Sequence, residues 1–166
     1  LIQMNQCKRV LELGTFVAYS TMWLARALPE DGYILTIEGR DTHAAMGHEH
    51  IDKAQLKQTI ELKCGRAADI LKSLPADIEP FDFIFIDADK QSYPEYLELS
   101  LNLSHSGTLI FLDNVIRAGD IINPENHKPS IEGIRDMFKA MQNHPKILSC
   151  TAIQTVGSKG HDGFAL

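Results

Sequence analysis

The stretch "FDFIFIDADKQSYPEY", which begins at Phe81, sets chemistry directly against a strand. Mostly apolar residues of strand type run straight into Asp87, Ala88, Asp89 and Lys90, so two acids and a base stand where a buried strand must surface. A second segment, "GTLIFLDN", carries another apolar run into Asp113 and Asn114. Asp87, Asp113 and Asn114 together offer three oxygen donors, two of them charged. Hard cations, Mg²⁺ foremost and Mn²⁺ or Ca²⁺ as alternatives, take such ligands. Three protein ligands leave positions open on an octahedral ion, as a catalytic metal requires. The competing reading is that Asp113-Asn114 only starts a turn, which does not account for an acid at the same level on a neighbouring strand. Lys90 follows Asp87 by three residues. If the chain turns there, its amine points back toward the acids, where a bound cation lowers a lysine pKa and suits it to act as a general base. The alternative is a surface lysine paired with Asp89.

Two further strand ends carry candidates. In "LELGTFVAYS", Gly14 follows a first strand, and a glycine there lets backbone approach a ligand. The helix after it offers free N–H groups that suit a carboxylate or phosphate. The spacing is not GxGxxG, so the dinucleotide signal is weak. Glu38 closes the next strand, and an acid at that place can hydrogen-bond both hydroxyls of a ribose. Gly14 and Glu38 occurring together point to a nucleoside-containing ligand.

These positions need a scaffold that brings strand ends together. The pattern predicts strands over 8–14, 33–38, 59–65, 81–87 and 107–114, alternating with helices over 19–28, 41–57, 67–74, 93–103 and 130–144. Ser130 is the expected N-cap of the last helix, and Trp23 is expected on the buried face of the first. Late strands over 146–154 and 163–166, separated by "TVGSKGHD", must form a hairpin and make one edge of the sheet antiparallel. The opening "LIQMNQCKRVLELG" reads as starting inside a helix. The expected architecture is an α/β fold with a mostly parallel seven-stranded sheet, helices on both faces and ligands beyond the carboxyl ends of the strands. The one long connection, 114–129, has no readable pattern. His43, His48 and His50 read as a solvated helix face away from the acids.

Composition narrows the function class. The chain has 166 residues, 44% of them hydrophobic, and a net charge of −6, which suits one ordinary domain. That charge argues against a broad nucleic-acid surface. No apolar run reaches the roughly 20 residues of a membrane span, so no membrane partner is expected. Cys7, Cys64 and Cys150 are odd in number and scattered, as expected of reduced thiols in a cytoplasmic protein.

Residues "VLELGTFVAYSTMWLARALPEDGYILTIE", "FDFIFIDADKQSYPEYLELS" and "GTLIFLDNV" resemble the cation-dependent O-methyltransferases of the catechol and caffeoyl-CoA type, and "TAIQTVGSKGHDGFAL" is similar to bacterial members. The resemblance spans essentially the whole chain. It implies a Rossmann-like methyltransferase domain over 1–166, lacking the family's N-terminal helices and stopping near the extreme C-terminus. It also implies a homodimer, S-adenosylmethionine as methyl donor, a divalent cation, and a small aromatic vicinal diol as acceptor. By motif, Glu12, Gly14, Thr15 and Ser20 would hold the methionine end of the donor and Glu38 its ribose. Ala67 would meet the adenine through its backbone, with Asp87 and Asp89 also against the donor. Asp87, Asp113 and Asn114 would hold the metal, with Lys90 as base. Where the family has glycine, this chain has Ala18. A positive φ at that position would strain an alanine by about 1 kcal/mol or more. The other readings are a catalytically silent donor-binding module and a nucleotide-dependent dehydrogenase.

Overall fold

The computed structural model describes residues 1–158 and 160–166. Seven strands form one sheet: β1 (Arg9–Leu13), β2 (Tyr33–Glu38), β3 (Thr59–Cys64), β4 (Phe81–Ile86), β5 (Ser104–Asp113), β6 (Ala152–Gly157) and β7 (Gly160–Ala165). Among the described residues five α-helices accompany them: α1 (Tyr19–Ala27), α2 (Asp41–Ala54), α3 (Ala67–Ser73), α4 (Tyr93–Asn102) and α5 (Pro129–Met141). The strand order is β3-β2-β1-β4-β5-β7-β6. β1 to β5 pair in parallel, and β7 runs antiparallel to both β5 and β6. The chain steps outward from β1 to β3, then returns to lay β4 on the other side of β1. This reversal creates a crevice beyond the ends of β1 and β4, where ligands of such sheets bind.

Side-chain parity along the strands builds two cores. Leu11, Leu13, Leu35, Ile37, Ile84, Ile86 and Leu112 meet Ala68, Leu71, Leu97, Leu101, Ile134 and Met137 from α3, α4 and α5. The alternate residues Val10, Ile34 and Phe83 meet Ala25 and Leu28 of the α1 segment, with Ile2 and Cys7. On α5, Ile131, Ile134, Met137 and Met141 are buried at helical spacing. Gly133 lies among them, and a Cβ there would stand 2.3 Å from the Lys90 carbonyl oxygen and 2.6 Å from the Gln91 Cα. Only a bare backbone lets α5 seat against the Lys90–Ser92 turn.

Several sequence expectations are corrected. Trp23 is 56% exposed, because the inward positions of α1 go to Thr21 and Ala25. The chain opens in turns, with Asn5 N donating to Leu1 O at 3.0 Å, not in a helix. β6 begins at Ala152, not Lys146, and β7 begins at Gly160. Most of "TVGSKGHD" is therefore strand, paired from Ala152↔Ala165 to Gly157↔Gly160; Lys159 lies outside the described residues. Helix α5 starts at Pro129 with Lys128 preceding it, so Ser130 is not the cap. Proline is pre-set for that first position. No helix is long and apolar enough to cross a membrane among the described residues.

The amino ends of the strands are clamped by Asp82. Its Oδ2 accepts from the backbone N–H groups of Lys8 at 2.7 Å and Arg9 at 2.8 Å, and its Oδ1 stands 2.9 Å from His105 Nε2. His105 Nδ1 faces the Ser106 carbonyl oxygen at 2.9 Å. Both ring nitrogens thus meet acceptors, which suits the imidazolium. Burial pushes the Asp82 carboxyl up, but these donors outweigh it and hold it below the usual carboxylate range. The hydrogen bond to Asp82 raises His105. A lowered acid contributes stability present above its ordinary pKa and lost as pH falls through the lowered value. A raised histidine contributes stability present below its ordinary pKa and lost as pH rises through the raised one. Asp82→Ala should therefore lower stability by about 2 kcal/mol. The gap from the parent in thermal melts should be widest between about pH 4 and 6.5 and narrow on either side; a gap independent of pH would refute the clamp.

Candidate active site at the carboxyl ends of the central strands

A cavity of about 1360 Å³ opens where β1, β2, β4 and β5 end. Gly14, Thr15, Ser20, Glu38, Ala67, Asp87, Asp89 and Asp113 line it, whereas Glu12, Lys90 and Asn114 are not among its lining residues. The carboxyl ends of the strands are level: Leu13 pairs with Ile37 and with Ile86, and Ile86 with Leu112. Asp87 and Asp113 are the next residues on neighbouring strands, as the sequence pattern required. Gly14 has φ 102, and a Cβ there would lie 2.1 Å from the Asp87 carbonyl oxygen. Glycine is therefore required on both grounds, conformation and contact. Two residues of the turn before α1 are also left-handed, Phe16 at φ 48 and Ala18 at φ 63. Ala18 is fully buried and precedes the first turn of α1, so the expected strain is present.

Glu12 is fully buried. Its Oε2 accepts from Thr21 Oγ1 at 2.5 Å and Thr36 Oγ1 at 2.6 Å, and Thr36 Oγ1 also lies 2.6 Å from Thr15 Oγ1. Its Oε1 has no hydrogen-bond partner among the described residues. Desolvation pushes the carboxyl up, against the hydroxyls that hold it down. A buried acceptor left open costs free energy that a ligand's donor would recover. Glu38 uses its Oε2 to accept from Phe16 N at 2.8 Å and its Oε1 to accept from Arg40 N at 3.0 Å. Here the histidine reading is corrected. His43 Nδ1 lies 3.4 Å from Glu38 Oε1, and its ring meets Phe16 edge-on at 4.8 Å. One turn into α2 is enough to bring it back over the end of β2. His48 and His50 are exposed as expected.

The acids of β4 and β5 meet a buried lysine. Lys90 Nζ donates to Asp87 Oδ1 at 2.7 Å and to Tyr93 Oη at 2.7 Å. Burial raises the Asp113 carboxyl, with Asp87 and Asp162 adding repulsion against the pull of the Asn114 N–H and Lys90. Asp89, the alternative partner of Lys90, is committed elsewhere: its Oδ1 accepts from Ser92 N at 3.1 Å and its Oδ2 from Tyr96 Oη at 2.6 Å. Asn114 follows Asp113 in the left-handed region at φ 55. Among the described residues no three His, Cys, Asp or Glu side chains group to hold a metal. The set read from the sequence contains only two carboxylates, its third member being an amide. Two adjacent acids of which one is destabilised by the other fit a divalent cation.

No sequence pattern marks the residues that hold these groups. Tyr93 Oη reaches the carbonyl oxygens of Ile86 at 3.0 Å and Asp113 at 2.8 Å. Asp162 Oδ1 accepts from the N–H groups of Ile116 at 3.3 Å, Arg117 at 3.1 Å and Gly163 at 2.9 Å. Arg135, on α5, donates to the carbonyl oxygens of Asp120, Ile121, Asn123 and Asn126. The connection after Asn114 is thus tied down through its backbone, and backbone acceptors leave no side-chain pattern to read. Arg135→Ala should cost about 2–3 kcal/mol and speed hydrogen exchange across 117–126 while α4 keeps its protection; equal change in both would reject the tie. Ala18→Gly should stabilise by about 1 kcal/mol through relief at φ 63, and a lower Tm would mean that the buried methyl outweighs the strain.

The pattern that defines the O-methyltransferase family matches residues 1–159. A catechol O-methyltransferase from Niastella koreensis is 45% identical over 100% of this chain and 75% of its own length. An O-methyltransferase from Bacillus cereus in complex with SAH superposes with a TM-score of 0.94 at 44% identity, over 99% of this chain and 74% of that one. An O-methyltransferase from Streptomyces achromogenes involved in tomaymycin synthesis, in complex with SAM, gives 0.93 at 38% identity, over 99% and 74%. With the family pattern over nearly the whole chain and a relative 45% identical along all of it, this chain belongs to the O-methyltransferase family.

Proposed function

We propose that this chain transfers a methyl group from S-adenosylmethionine to one hydroxyl of a small aromatic vicinal diol, with the help of a divalent cation, Mg²⁺ in the first place. The observation that carries the reading is the Asp87–Lys90–Asp113 arrangement, two strand-end acids with a buried ammonium hydrogen-bonded to one of them. The catechol O-methyltransferase relative and the neighbours bound to SAH and SAM support the donor and the acceptor class.

In this reading Asp87, Asp113 and Asn114 hold the cation. Glu12, with its open Oε1, Gly14, Thr15 and Ser20 take the methionine end of the donor. Glu38 accepts the ribose hydroxyls, and Ala67 and Asp89 border the rest. When bound, the donor supplies an electrophilic methyl on a sulfonium and the cation favours the ionised diol. Once the ammonium of Lys90 has given up one proton, its neutral Nζ receives the proton of the attacking hydroxyl and becomes the ammonium again. The cavity walls hold the two reactants in attack geometry, which can remove roughly 7–11 kcal/mol of barrier. The C–S bond breaks as the O–C bond forms, and S-adenosylhomocysteine leaves without the sulfonium charge.

Full-length protein given labelled donor and a panel of diols should methylate a catechol, lose that turnover to a chelator and regain it with Mg²⁺. Lys90→Met should lower kcat by about 10²- to 10⁴-fold with donor binding by calorimetry intact. Turnover indifferent to chelator would remove the cation from the scheme. Donor binding with no turnover on any diol would favour the silent module, a reading that the strained Ala18 beside the donor turn also favours.

A further inference from the structure

Tyr93 is fully buried at the start of α4, and its hydroxyl has three neighbours: Lys90 Nζ at 2.7 Å, Asp113 O at 2.8 Å and Ile86 O at 3.0 Å. A phenol carries one proton. Both carbonyl oxygens can only accept, so that proton is spent on them. The remaining lone pair faces Lys90, which must be the donor in that contact. The carbonyls belong to the last residues of β4 and β5, so one hydroxyl ties together the two strand ends that carry Asp87 and Asp113 and holds the lysine beside Asp87. Lys90 Nζ also lies 4.8 Å from the Tyr93 ring centroid, and its side chain is 9% exposed. The ammonium therefore has two fixed anchors, Asp87 and Tyr93. In the proposed function Asp87 is shared with a cation, whereas among the described residues Lys90 is the one donor that meets the Tyr93 hydroxyl.

We infer that Tyr93 is a positioning residue for Lys90: its hydroxyl fixes Nζ against the ends of β4 and β5 and acts on the reaction only through that lysine. The inference rests on Lys90 serving as the base.

Tyr93→Phe keeps the ring and removes the hydroxyl. In the full-length enzyme it should lower kcat about 10- to 100-fold while the KM values for donor and acceptor stay within about twofold. In a Lys90→Met background the same change should cost less than about twofold, because residues that act as one unit are non-additive. An unchanged kcat, a loss carried by KM, or equal losses in both backgrounds would overturn the proposal. A second measurement does not depend on turnover. In ¹⁵N spectra of lysine ammonium groups, Lys90, assigned by its loss in Lys90→Met, should give a resolved, slowly exchanging signal that vanishes in Tyr93→Phe. A Lys90 signal unaffected by Tyr93→Phe would overturn the inference even in a protein without measurable activity. If instead Lys90→Met keeps full turnover while the signal behaves as expected, the assignment of the base fails and the contact stands.

Discussion

The architecture turns on a backbone contact at the point where the sheet changes direction. Gly14, just past β1, lies so close to the Asp87 carbonyl that a Cβ would stand 2.1 Å from it. Asp87 N also donates to Leu13 O at 2.8 Å, and Gly14 N to Ile37 O at 2.9 Å. The ladder thus continues one residue past the strands on both sides of the switch point. That extension keeps the ends of β1, β2 and β4 level, and through the Ile86↔Leu112 register it fixes β5 as well. A side chain at position 14 would push β4 away from β1, and Asp87 would leave the plane of Asp113 and Glu38. Packing of two backbones, not any ligand, sets the geometry of the acids.

Around that contact the chain stabilises its irregular turns with polar groups from elsewhere in the fold. Gly133 lets α5 press on the Lys90–Ser92 turn, Asp89 caps that turn through Ser92 N, and Arg135 and Asp162 hold the connection after Asn114. In that connection Arg117 and Ala118 both have positive φ, which costs non-glycine residues of order 1 kcal/mol each or more. The carbonyl and N–H contacts from two distant elements over-determine those conformations, as strained backbone near a site requires.

The sheet and the rank of acids were legible because they follow from local rules. Apolar runs of strand length ended in Glu12, Glu38, Asp87 and Asp113, and a parallel sheet places all such ends on one side. Lys90 was legible through its spacing from Asp87. Tyr93, Asp162 and Arg135 were not, since each acts on backbone groups that are far away in sequence. Trp23 was misread because helical spacing marks a face without saying which residues of it the sheet covers. The final hairpin is present, but the starts of its strands, expected at 146 and 163, differ for a related reason: β6 is exposed along its whole length and takes its place from pairing with β7. His43 was sent to solvent by its neighbours His48 and His50, yet the helix rotates it back over Glu38.

The two ends of the sheet treat the same residue type in opposite ways. At the amino ends, Asp82 receives two backbone donors and a histidine, and its pKa falls. At the carboxyl ends, burial pushes up the pKa of both Glu12 and Asp113, with one Glu12 oxygen left open and Asp87 adding repulsion at Asp113. A carboxyl with a raised pKa weakens the folded state wherever it is ionised, so folding alone gives no reason to bury these two acids or to leave Glu12 Oε1 open. A ligand that brings positive charge or N–H donors to them binds the folded state alone and restores stability as RT ln(1 + [L]/Kd). The deficit sits at the crevice where the sheet reverses, on the same side as Glu38 and Lys90. Charge withheld at one end of the sheet and satisfied at the other is the electrostatic form of dividing scaffold from site.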